Sequence, residues 1–153
     1  MVPKRRWLEL VVLVAGCSAA PPKPPPAPPS DPLVASWKIA DHVMATTSAL
    51  TEDDALVFHD RIIEIDATGY TTPWHGDCEE AVRQRRDRIL ADVLSELDVP
   101  AAGRAKARAN GLVDDMVEHR LTCTDKGTPP LTFYLSGERA MTCFTGVCYF
   151  LVR

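Results

Sequence analysis

The sequence predicts an α+β domain: a curled antiparallel β-sheet, forming a partial barrel, with one long and one short helix inserted between strands. Three observations carry this expectation. Segments near both ends of residues 33–153 alternate apolar and polar side chains, the period of a half-buried strand. Between them, apolar residues recur at helical spacing. Four cysteines fall where covalent staples could hold such a small sheet together.

Ser36–Ala40 reads as the first strand, with Trp37 and Ile39 on one face. The stretch 53–58 fits neither period. Arg61–Asp66 alternates, placing Ile63 and Ile65 opposite Glu64 and Asp66, and Gly69 and Pro73 then break the chain. A long helix is expected from Cys78. Asp77 can cap it with Glu80 three places on, and Val82, Ile89, Leu90, Val93 and Leu97 form its apolar stripe. In that helix Glu79 and Arg83, Arg83 and Asp87, and Arg88 and Asp92 stand four apart and form ion pairs on a solvated face. A shorter helix covers residues 100–109 and stops at Asn110-Gly111. Residues 117–123, 131–135, 140–144 and 148–152 complete the sheet as a meander, with the last turn at Thr145-Gly146-Val147.

Of five cysteines, Cys17 stands apart, which leaves Cys78, Cys123, Cys143 and Cys148 as an even set for two disulfides. Cys143 and Cys148 flank a hairpin loop and face one another, and Cys78 then pairs with Cys123. A crossed pairing such as Cys123 with Cys143 also fits the spacing. Zinc is disfavoured at these cysteines because Cys78 and Cys123 lack the close partner that zinc sites use. The sequence assigns no metal and no cofactor.

The chain before the domain has two further parts. Residues 1–16 hold a basic start at Lys4-Arg5-Arg6 and an apolar stretch from Trp7 to Ala15, too short to span a bilayer. Residues 17–32 hold Cys17 and, from Pro21 to Pro32, eight of the chain's 13 prolines, the composition of an extended stalk. From Leu33 onward, 13 Lys plus Arg face 19 Asp plus Glu, a balance that gives nucleic acid little to bind.

Val14-Ala15-Gly16-Cys17, with Leu13 before it, resembles the lipobox of bacterial prolipoproteins. The resemblance implies lipid on the Cys17 thiol, cleavage of residues 1–16, and anchoring to a membrane by acyl chains. Ser18, where Asp would favour the inner membrane, implies a periplasm-facing outer-membrane location. The domain itself resembles the small uncharacterised lipoproteins of bacterial envelopes. Trp37 near the start of a small β domain is similar to the lipocalin pattern, although Ala35 replaces the glycine of that pattern.

No set of nucleophile, base and orienting group can be assembled, so a non-enzyme is expected. His59-Asp60 and His75-Gly76-Asp77 place carboxylates beside imidazoles, and His119 falls on the inward face of its strand. Tyr70, Trp74 and His75 form a loop rich in large side chains ahead of Cys78, and are the expected contact residues for an envelope protein or a glycan. The alternatives are a lipocalin-like cavity for a small apolar ligand, or an enzyme using His75 and Cys78.

Overall fold

A computed structural model describes residues 31–125 and 127–153. Cys17 and the proline tract to residue 30 lie outside the described residues. Nine strands form one antiparallel sheet in the order β4-β3-β2-β1-β9-β8-β7-β6-β5. They are β1 (Ala35–Met44), β2 (Ile62–Ile65), β3 (Tyr70–Thr72), β4 (Gly76–Cys78), β5 (Ala81–Ile89), β6 (Asp115–Cys123), β7 (Leu131–Ser136), β8 (Arg139–Phe144) and β9 (Val147–Val152). Among the described residues three helices accompany them: α1 (Glu52–Leu56), α2 (Leu90–Glu96) and α3 (Ala101–Ala109). The α+β partial barrel is therefore present. No described helix is long and apolar enough to cross a membrane.

The two edge strands, β4 and β5, are consecutive in the chain and separated only by Glu79 and Glu80. The sheet therefore curls until its edges nearly meet. The seam is tied by the Cys78–Cys123 disulfide, which reaches from β4 to β6. Two backbone bonds help: Ala81 N–H donates to Thr68 O at 2.8 Å, and Thr124 N–H donates to Glu80 O at 2.9 Å. Gly69 is needed here, because a Cβ at that position would fall 1.9 Å from the Cys78 carbonyl oxygen. Cys143 and Cys148 pair directly across β8 and β9 and form the second disulfide.

Side chains divide into two cores. Inside the curl lie Leu33, Trp37, Ile39, Ile63, Leu121, Phe133, Tyr149 and Leu151. Outside it, α2 and α3 cover Val43, Met141, Cys148 and Phe150 with Leu90, Val93, Leu94 and Ala107. This explains the unbroken apolar run of β9, whose alternate residues serve both cores. Leu33 is fully buried and its carbonyl accepts the Trp37 indole N–H at 3.0 Å, so the chain is pinned where it enters the sheet.

The expected long helix is not formed. Its first half is β5, paired over nine residues with β6, and only Leu90–Glu96 is helical. The stripe that suggested a helix is misleading at its start, since Val82 and Ile89 are exposed. Asp77 caps nothing; it accepts a hydrogen bond from Thr71 Oγ1 at 2.8 Å across the β3–β4 pair. The arginines find partners other than those four residues away. Arg86 binds Glu118 in a two-pronged pair at 2.8 and 2.9 Å, Arg88 bonds Glu96 at 2.6 Å, and Arg83 bonds Asp31 at 2.8 Å. A full-length partner strand outweighs local preference here, as strand formation often does. The short helix α3, its stop with Gly111 at φ 85°, and the four final strands lie where the sequence placed them. The unassigned stretch near residue 53 is α1, opened by a reciprocal cap between Thr51 and Asp54.

Candidate functional site

The site begins with an irregularity in β1. Its pairing with β9 runs Ile39 opposite Leu151 and then Asp41 opposite Phe150, so Ala40 is an extra residue. A bulge of this kind shifts which face the following side chains occupy. Trp37 and Ile39 point into the curl; beyond the bulge His42 does so, while Asp41 and Val43 point outward beneath α3. Unbroken alternation would have aimed His42 at the outer face.

A loop meets His42 there. Asp60 N–H donates to Ile39 O at 2.9 Å and Ile39 N–H donates to Arg61 O at 2.9 Å, which fastens residues 58–61 along β1 just before the bulge. Asp60 adopts φ 61°, a left-handed conformation that Asp tolerates better than most residues. The result is a contact between imidazoles, with His42 Nδ1 2.7 Å from His59 Nε2. On the other side, Glu52 Oε1 lies 3.0 Å from His42 Nε2, off the direction in which a ring N–H would point. His59 titrates below the ordinary histidine range, first because of burial and then because of its neighbour His42. Asp41 Oδ1 accepts from Lys106 Nζ and from the His42 N–H, both at 2.8 Å, and Oδ2 accepts from Asn110 at 3.2 Å. Burial raises the Asp41 pKa, but these partners outweigh it and the net shift is downward.

Beside the histidines is a cluster of rings. The Trp74 indole lies parallel to Phe144, 5.1 Å between centroids, and close to parallel with Tyr149 at 5.4 Å. Phe58 meets Trp74 edge-on at 5.5 Å, and His75 meets Phe144 edge-on at 5.3 Å. Phe58, Trp74, His75 and Phe144 are half-buried, whereas Tyr149 is fully buried. The Tyr149 hydroxyl is buried with no hydrogen-bond partner, and burial, assisted by Asp54, pushes its pKa up to about 12. Buried polar groups are normally satisfied. His75 Nδ1 is also buried without a partner, and burial lowers its pKa.

The structure separates the three expected contact residues. Trp74 and His75 belong to the half-buried rim. Tyr70 does not: it is buried, part of the inner core, and its hydroxyl donates to Pro129 O at 3.3 Å beneath the seam. Its place on a strand beside the closing disulfide turns it inward. Cys78 is oxidised, so it has no thiolate to offer, and the pairing of His75 with Cys78 as base and nucleophile does not exist. Asp60 pairs with Lys38 at 3.4 Å rather than orienting His59. His119 faces inward, as expected, and is half-buried. The sequence offered no sign that Phe58, Phe144, His42 and Glu52 would assemble here, since a bulge at Ala40 has no local signature. No family model matches the chain, and no curated protein and no solved structure matches it either.

Proposed function

We propose that this chain is a lipid-anchored envelope protein whose domain is a non-catalytic recognition module for a protein or a glycan, with Trp74, His75 and Phe144 as its contact face. The observation that carries this reading is the fixed, half-exposed Trp74, clamped by Phe144 and Tyr149. Aromatic side chains supply much contact area and lose little freedom on binding when already held in place. The location of the ring cluster supports it as well. The chain enters the sheet at Ala35, and Met44 at the far end of β1 pairs with Val147, three residues from Phe144. Ten residues of strand run roughly 33 Å. The aromatic face thus lies at the end of β1 away from the point where the chain enters the sheet.

The interior of the curl is filled by Leu33, Trp37, Phe133, Tyr149 and Leu151, which favours a surface contact over an enclosed apolar ligand. The test is capture from envelope extract, with sedimentation against purified cell-wall glycan as a second arm. Wild type is expected to retain a partner in one arm. Trp74→Ala and His75→Ala, checked for unchanged disulfides and secondary structure, are expected to lose it by tenfold or more. Equal retention by all three proteins would remove this face from consideration.

A further inference from the structure

His42 lies deep in the mouth of the barrel, 2% exposed, with a metal-binding type of atom opposite each ring nitrogen. His59 Nε2 is 2.7 Å from its Nδ1, and Glu52 Oε1 is 3.0 Å from its Nε2. The ligand atoms that Asp41, His42 and His59 can offer all lie within 4.8 Å of one another. We propose that His42, His59 and Asp41 form a binding site for a divalent transition-metal ion of the zinc class, with Glu52 holding His42 from behind.

The donor set suits such an ion. Two imidazoles and one carboxylate are the ligand types that zinc and its borderline neighbours take, and three protein ligands leave a coordination position open. The arrangement around His42 has the form that ligating histidines usually show, with one nitrogen toward the ion and the other toward a carboxylate that fixes the ring. Glu52 occupies that second place although it makes no well-aligned hydrogen bond as the side chains stand. The proton balance agrees. Two neutral rings with nitrogens 2.7 Å apart share one proton between them. Metal uptake moves that proton to the other nitrogen of its own ring, which on His42 is the Nε2 facing Glu52, and leaves one lone pair on each ring for the ion. With tetrahedral Zn–N bonds of about 2.0–2.1 Å the nitrogens must separate to about 3.3–3.4 Å. His59 can supply this small retreat, because it is half-buried on a loop, whereas His42 is held in β1.

Lys106 is the competitor for Asp41. Its side chain is 43% exposed and on α3, so the ammonium group can turn toward water when an ion takes the carboxylate. His42, Glu52 and Lys106 line one cleft of about 290 Å³ beside the ligand set. The site adjoins the aromatic contact face, but none of its ligands belongs to that face.

The experiment uses the full chain, purified in detergent without an affinity tag, stripped with chelator and dialysed against Zn²⁺. One zinc per chain is expected after dialysis, together with a raised thermal midpoint. His59→Ala and Asp41→Asn are each expected to bind about a hundredfold more weakly and to show no rise in midpoint. Glu52→Gln should bind roughly tenfold more weakly, the usual effect of losing a supporting carboxylate. His75→Ala should bind as wild type does. Near-UV circular dichroism checks that each variant keeps its packing, and two independent ligand variants guard against the failure of one to fold. Failure of the wild type to retain zinc would overturn the proposal, leaving a hydrogen-bonded imidazole pair only. Retention by both folded ligand variants at the wild-type level would overturn it equally.

Discussion

Asp41 and His42 are neighbours in sequence whose side chains leave β1 in different directions at the bulge, with their ligand atoms still within 4.8 Å of one another. Asp41 is half-buried among Lys106, Asn110 and a backbone N–H, and His42 is buried among rings. His119 shows what burial does to such a ring away from this site. Burial lowers its pKa, Asp31 opposes this, and Arg85 and Arg83 add to it. Its folded pKa is therefore below its unfolded value, so the unfolded chain binds more protons as the solution acidifies. The stabilisation from keeping His119 neutral is complete above about pH 6.5. It is lost as pH falls from there through the folded pKa. The urea midpoint of the wild type should fall over that window, and His119→Gln should fall less steeply. Identical slopes for the two proteins would show that His119 is not responsible.

At the scale of elements, most of the sheet was readable from its period-two pattern. Trp37 with Ile39, Ile63 with Ile65, and β6 follow it directly, whereas β7, β8 and β9 show as short apolar runs between turns. Helix α3 was legible from its stop at Asn110-Gly111, and the sites of both disulfides from the even set of cysteines. Strand β5 was not legible, because four arginines in nine residues carry no strand signature and the apolar residues around them fit a helical stripe. What makes β5 a strand is distant in sequence: β6 as a full-length partner and Glu118 beneath Arg86 and Arg88. The candidate site was half legible, through Trp74 and His75, since the bulge that delivers His42 is a property of the pairing with β9. The two disulfides should differ in weight. Cys78–Cys123 closes a separation of 45 residues and Cys143–Cys148 one of 5. In the chain-entropy model these amount to about 4 and about 2 kcal/mol. Urea unfolding of the two double-alanine variants should rank them in that order. A larger loss from Cys143→Ala with Cys148→Ala would show that native packing, rather than loop closure, dominates.

For the whole molecule, the anchoring proposal gives the simplest test. Cys17→Ala should move the protein from the membrane fraction to the soluble fraction on separation of cells, with the domain still oxidised. If the variant stays with membranes as fully as wild type, lipid on Cys17 is not what holds it there. The seam between β4 and β5 bears on how such a protein is made. The short strand β4 is joined to the far side of the barrel by a covalent bond rather than by a run of ladder bonds. Without that bond β4 is held in the sheet by β3 alone, and the seam keeps only the backbone bonds of Ala81 and Thr124. Under the export proposed above, that last closure would form only after the chain has reached an oxidising compartment.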